Sequence, residues 1–191
     1  MKWLCVSLQN ISKKMNTTQI SAKQFRTHLT VLQSDDLTKI KRLIGELRIQ
    51  GDARYIAPLV DVLNNSAHDE IKEVIFGMLL DLKDEGALDP LFSCIRDERY
   101  IDIRPQLLSV LWQSNLDASE YLNELIQMAV EFDYLECIEI MTILDTFEDG
   151  FSEDELMDSI YSLDEAIEEE HSNKTELLIE IKSIVNNLTV V

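Results

Sequence analysis

Apolar residues recur along this chain at the spacing of one helical face. Ile56, Leu59, Val60 and Leu63 fall at i, i+3, i+4 and i+7, the stripe that an α-helix turns toward a core. The stripe returns at a near-constant interval, first as Leu88, Leu91, Phe92 and Ile95, then as Leu122, Leu125, Ile126 and Ala129. A further interval gives Leu156, Ser159, Ile160 and Leu163, with Ser159 the one polar member. A second stripe lies between: Ile71, Val74, Ile75, Met78, Leu79 and Leu82, followed one interval on by Ile103, Gln106, Leu107, Val110, Leu111 and Ser114. Its later counterparts drift in register, to Leu135, Ile138, Met141 and Leu144, then to Leu177, Ile181, Ile184, Val185 and Leu188.

Upstream, Phe25, Leu29 and Leu32 after a Ser21 cap predict one helix, and Ile40, Leu43, Ile44 and Leu47 after Asp35-Asp36 predict its partner. The turns fall near Ser34, Gly51-Asp52, Asn64-Asn65-Ser66, Asp84-Glu85-Gly86, Asn115, Asp149-Gly150 and Ser172-Asn173. The pattern therefore predicts an all-α chain of about five antiparallel helix pairs. A single pair cannot bury both of its stripes, so neighbouring pairs must stack on a shared core.

The residues around the stripes carry a family resemblance. Tyr55-Ile56-Ala57-Pro58-Leu59-Val60 and Ala87-Leu88-Asp89-Pro90-Leu91-Phe92 resemble the first helix of HEAT repeats, with a proline early in the helix. Asp102-Ile103-Arg104 is similar to the start of a HEAT second helix. The match covers residues 53–114, and weakens where Glu124 and Asp158 replace the proline. The resemblance implies a right-handed, armadillo-type α-solenoid with the second helices lining its concave face. It gives one repeat domain over residues 20–191, behind a flexible tail over 1–19 in which Met15 is a candidate true start.

Charge changes the picture of what such an array would bind. The formal net charge is −19, and it is uneven. Residues 1–104 hold 15 Lys and Arg against 15 acids, whereas 105–191 hold only Lys174 and Lys182 against 21 acids. A polyanion is bound by neutralising its phosphates, so nucleic acid is not the expected partner. A basic protein segment fits the second half better. Cys5, Cys94 and Cys137 lack any CxxC spacing and read as reduced core thiols, which with the absence of a signal peptide predicts a cytoplasmic protein. No run approaches the roughly 20 apolar residues of a membrane span.

Off the predicted core stripes lie Phe76 and Leu80 and, at the matching positions of the next repeat, Leu108 and Trp112. In adjacent repeats these would either pack against neighbouring helices or form an apolar strip on the second-helix face. The stretch from Asp145 to Glu170 contributes 12 carboxylates, Glu148, Asp149, Glu153, Asp154 and Glu155 among them, and no cation. It reads as a solvated helix face or as a landing surface for a basic partner.

Signals for chemistry are missing. His28, His68 and His171 stand far apart, and neither a phosphate-binding Gly-rich loop nor a nucleophile elbow is present. Asp145-x-Phe147-x-Asp149-Gly150 begins like a calcium loop, but Phe at the third position and Leu156 at the twelfth remove two ligands. No cofactor or metal is expected. The leading expectation is a protein-binding adaptor or scaffold, a monomer or weak homo-oligomer, using its second-helix face. A self-assembling structural protein is the alternative, and a HEAT-like enzyme such as a lyase a further one.

Overall fold

A computed structural model describes residues 20–50, 52–114, 116–148, 150–170 and 172–190. They form ten α-helices: α1 (Ala22–Leu32), α2 (Leu37–Gln50), α3 (Ile56–Asn65), α4 (Asp69–Leu80), α5 (Leu88–Arg96), α6 (Arg104–Gln113), α7 (Leu122–Glu131), α8 (Tyr134–Leu144), α9 (Glu153–Glu169) and α10 (Lys174–Asn187). The predicted 1–19 tail and its Met15 start lie outside the described residues. Among the described residues the only β-type pairing is an isolated bridge between Phe151 and Val190.

Local chemistry explains where the helices begin. Ser21 and Ser152 close capping boxes with Gln24 and Glu155, each satisfying free N–H groups of a first turn. A second device recurs along the chain. Asp52, Asp84, Asp97 and Asp117 each accept a hydrogen bond from the N–H two residues on, at 3.1, 3.0, 3.0 and 2.9 Å. Each of these turns leads into a short 3₁₀ segment that delivers the chain to α3, α5, α6 or α7. Pro58, Pro90 and Pro105 sit in first turns, where a missing N–H costs no intrahelical bond.

Consecutive helices pack as pairs, and each helix also packs on the one two places away. The odd series runs α1 on α3, α3 on α5 and α7 on α9; the even series runs α2 on α4, α4 on α6, α6 on α8 and α8 on α10. Between α5 and α7 the link is made by Arg96 Nε, 2.7 Å from Glu124 Oε1, and by Phe92 stacked on Tyr121 at 4.2 Å. Glu124, in place of the proline, thus ties two helices and lies favourably at a helix N-terminus.

The predicted stripes of α2, α3, α5 and α7 are buried throughout. Ser159 is buried too, its hydroxyl donating to Asn123 Oδ1 of α7 at 2.9 Å. The stripe expected for α8 is corrected. Its core is Cys137, Ile140, Ile143 and Leu144, while Leu135 is 61% exposed and Ile138 and Met141 are half-buried. Helix α8 is apolar nearly all round, so its neighbours α6 and α10 select the inward face.

Tyrosines in the 3₁₀ segments tie back to earlier helices of the odd series. Tyr55 is buried with its hydroxyl 2.8 Å from His28 Nδ1 on α1. Tyr100 is buried and donates to Asp61 of α3, and Tyr121 donates to Asp89 Oδ1 of α5 at 2.6 Å. The bond to Asp89 and partial burial push the Tyr121 phenol up to about 12; burial and the bond to Asp61 raise that of Tyr100.

Candidate protein-interaction surface

The four apolar residues singled out by repetition do not form one exposed strip. Leu108 is fully buried, and Phe76 and Leu80 are half-buried against the core. The reason is geometric. Helix α6 lies between α4 and α8 in the even series as well as on α5, so a wide arc of its surface is covered. Trp112 alone is open, at 39% exposure.

Trp112 has a different neighbour from the one expected. Its indole N–H donates to Glu139 Oε2 of α8 at 2.7 Å. Leu135 precedes Glu139 by four residues and shares its helical face, so it lies one turn along α8 from the tryptophan's anchor. Tyr134, 39% exposed, opens the same helix. The exposed apolar residues that Glu139 brings near one another on α6 and α8 are therefore Trp112 and Leu135. Sequence reading placed Leu135 in the core; the surplus of apolar positions on α8 was the signal that some must face outward.

Of the acidic candidates, Glu148, Glu153, Asp154 and Glu155 are exposed, while Asp149 lies outside the described residues. Glu153, Asp154 and Glu155 fill the first turn of α9, where acids favour the helix dipole. Bonds from the Ser152 hydroxyl and backbone hold the Glu155 carboxyl below its ordinary range. These three residues thus support a helix start as well as contributing field.

The cations of this half are used internally. Lys174 is buried and its ammonium donates to the Val130 carbonyl at 2.6 Å, closing the C-terminal turn of α7. Lys182 pairs with Asp164. Just before this half, Arg104, the last arginine, is buried, with Nε donating to the Ile95 carbonyl at 2.8 Å, Nη2 3.2 Å from Glu98 Oε1 and the guanidinium 4.1 Å over the Phe132 ring. Glu136, also buried, lies 4.0 Å from it.

Cys94 and Cys137 are free and buried, and burial pushes each thiol up to about 11, which makes them poor nucleophiles at neutral pH. Cys5 lies outside the described residues. Sequence reading did not foresee a cleft of about 790 Å³ between the α1–α2 turn and α3, lined by Leu29, Leu37, Pro58 and Val62 with Asp35 and Asp61. No helix among the described residues is long and apolar enough to cross a membrane. No family model matches the chain, and neither does any curated protein or solved structure.

Proposed function

We propose that this chain is a protein-binding adaptor built as a HEAT-like α-solenoid, and that it holds a basic segment on the second-helix face of α6 and α8. The solenoid reading is supported by the alternation of packing, odd helices on odd and even on even, together with the recurring aspartate turns. The binding reading is carried by one observation. Trp112 and Leu135 are exposed on adjacent helices, joined through Glu139, in a half of the chain whose only two lysines are engaged by its own fold.

Such a surface suits an amphipathic basic partner. Tryptophan and leucine supply desolvated contact area, and the surrounding carboxylates steer encounter. The test is a pull-down at low and high salt comparing the native chain with a Trp112→Gln/Leu135→Ser variant whose circular dichroism is unchanged. The expected result is a partner retained by the native chain, lost by the variant and released more readily by salt. Equal recovery by both chains would remove α6 and α8 from the binding surface.

A further inference from the structure

The two ends of the helix stack differ in a way that fits one to the other. At the α9–α10 end, Ser159 and Ser162 of α9 contact Asn123 and Gln127 of α7. Met157 and Tyr161 each stand two residues from Ser159, about 200° round the helix, and so face away from α7. They are 61% and 64% exposed. On α10, Ile179 stands two residues from the fully buried Ile181 and is 51% exposed. No element among the described residues covers this face. The two helices with their connection, residues 153–187, carry 11 acids and two lysines.

At the other end, Phe25 and His28 turn α1 toward Tyr55. Lys23 and Thr27 flank Phe25 by two residues, and Arg26 and Thr30 flank His28, so these four face away from the stack. Lys23 and Arg26 make no ion pair among the described residues. On α2, Lys41 and Arg48 pair with Glu70 of α4 and with Asp81 just past its end. Lys39, two residues from Lys41, therefore lies on the side away from α4, where it pairs with Asp36 at 2.8 Å. Residues 20–50 hold six Lys and Arg against three acids.

From these two faces we infer that the chain self-associates head to tail, the acidic Met157–Tyr161–Ile179 face of one copy receiving the basic α1–α2 face of the next. Basic side chains supply the chemistry that the acidic face calls for. Their aliphatic stems lie on exposed apolar surface while their heads reach carboxylates, and a guanidinium stacks on a tyrosine face. Because the two faces differ, the contact is heterologous and leaves a free head and a free tail on every open assembly. This surface is separate from the Trp112–Leu135 face, so either idea can fail alone.

The test uses sedimentation velocity over a concentration series on the full chain and two variants checked by circular dichroism. Native chain should gain mass with concentration. Met157→Ser/Tyr161→Ser and Lys23→Glu/Arg26→Glu should each stay monomeric alone. Mixed in equal amounts they should form a dimer and nothing larger, since the mixture retains one intact head and one intact tail. A native chain that stays monomeric overturns the inference. So does a Lys23→Glu/Arg26→Glu variant that associates like the native chain, or a mixture that stays monomeric.

Discussion

Residues 20–104 and 105–190 are both built of packed helix pairs but handle charge in opposite ways. In the first part cations meet acids across helices, Lys41 with Glu70, Arg48 with Asp81 and, more loosely, Arg99 with Asp61, or within one turn, as Arg99 does with Asp97. In the second, Lys174 is spent on a carbonyl and Lys182 on Asp164, leaving most acids without a cation of their own half. The difference shows that one plan of packed helix pairs tolerates two electrostatic regimes, because the apolar stripes carry the packing in both. Exposed ion pairs contribute little to stability, so the first part, with 12 Lys and Arg against 15 acids, is near balance without being held together by it. The second part keeps its field because it sets only two lysines against 21 acids.

Arg104 sits where the two parts meet, and removing it should give the largest effect. Arg104→Ala leaves the Ile95 carbonyl without its partner, uncovers the Phe132 ring and strands the Glu136 carboxylate, whose side chain is only 7% exposed. Leaving one member of a buried pair without its partner costs about 3 kcal/mol or more, which urea unfolding should record. Arg99→Ala, at an exposed pair, should barely move the midpoint; equal losses from both would erase the contrast between surface and buried cations. Lys174→Met keeps the apolar stem but deletes the charged bond to Val130, for an expected loss of about 2 kcal/mol.

The first part has its slack in backbone propensity instead. Gly45 lies within α2, exposed, and a Cβ built there meets nothing within 4 Å. Gly45→Ala should therefore raise stability by about 0.8 kcal/mol, by the same amount at low and high salt. Gly77 is the control, since a Cβ there would lie 3.3 Å from the Arg48 guanidinium that reaches Asp81. A smaller gain at Gly77 than at Gly45 is expected in the same thermal melts.

Much of the helix plan was readable from periodicity, and the failures have physical causes. Stripes on two-sided helices such as α2, α3, α5 and α7 left one choice of inward face. Helix α8 offered two, and only its packing on α6 and α10 decided between them, so Leu135 was misplaced. Leu108 could not be assigned from its own helix because its burial depends on α6 being covered on several sides. The aspartate turns at 52, 84 and 117 were legible in principle, since they recur at the repeat interval beside the stripes. The cleft beside Pro58 was not, because its walls come from two turns well separated along the chain, Gln33–Asp35 and Ser66–His68.

The smallest effect tests whether the acidic field of the second part bears on its own stability. Helix α9 ends in Glu168 and Glu169 with no basic residue in its last turn, so these acids oppose both the dipole and their neighbours. Glu168→Gln/Glu169→Gln should raise Tm at low ionic strength. The gain should fade as salt shortens the screening length to about 8 Å near 0.15 M. At the other end of the same helix, Glu153 and Asp154 lie in the first turn, where the dipole favours them. Glu153→Gln/Asp154→Asn removes the same two charges from the same acidic region, so relief of general repulsion would again raise Tm. If the local dipole dominates, Tm falls instead. Opposite signs at the two ends would show that placement along the helix outweighs total charge; equal gains would show that the −19 field acts on the fold as a whole.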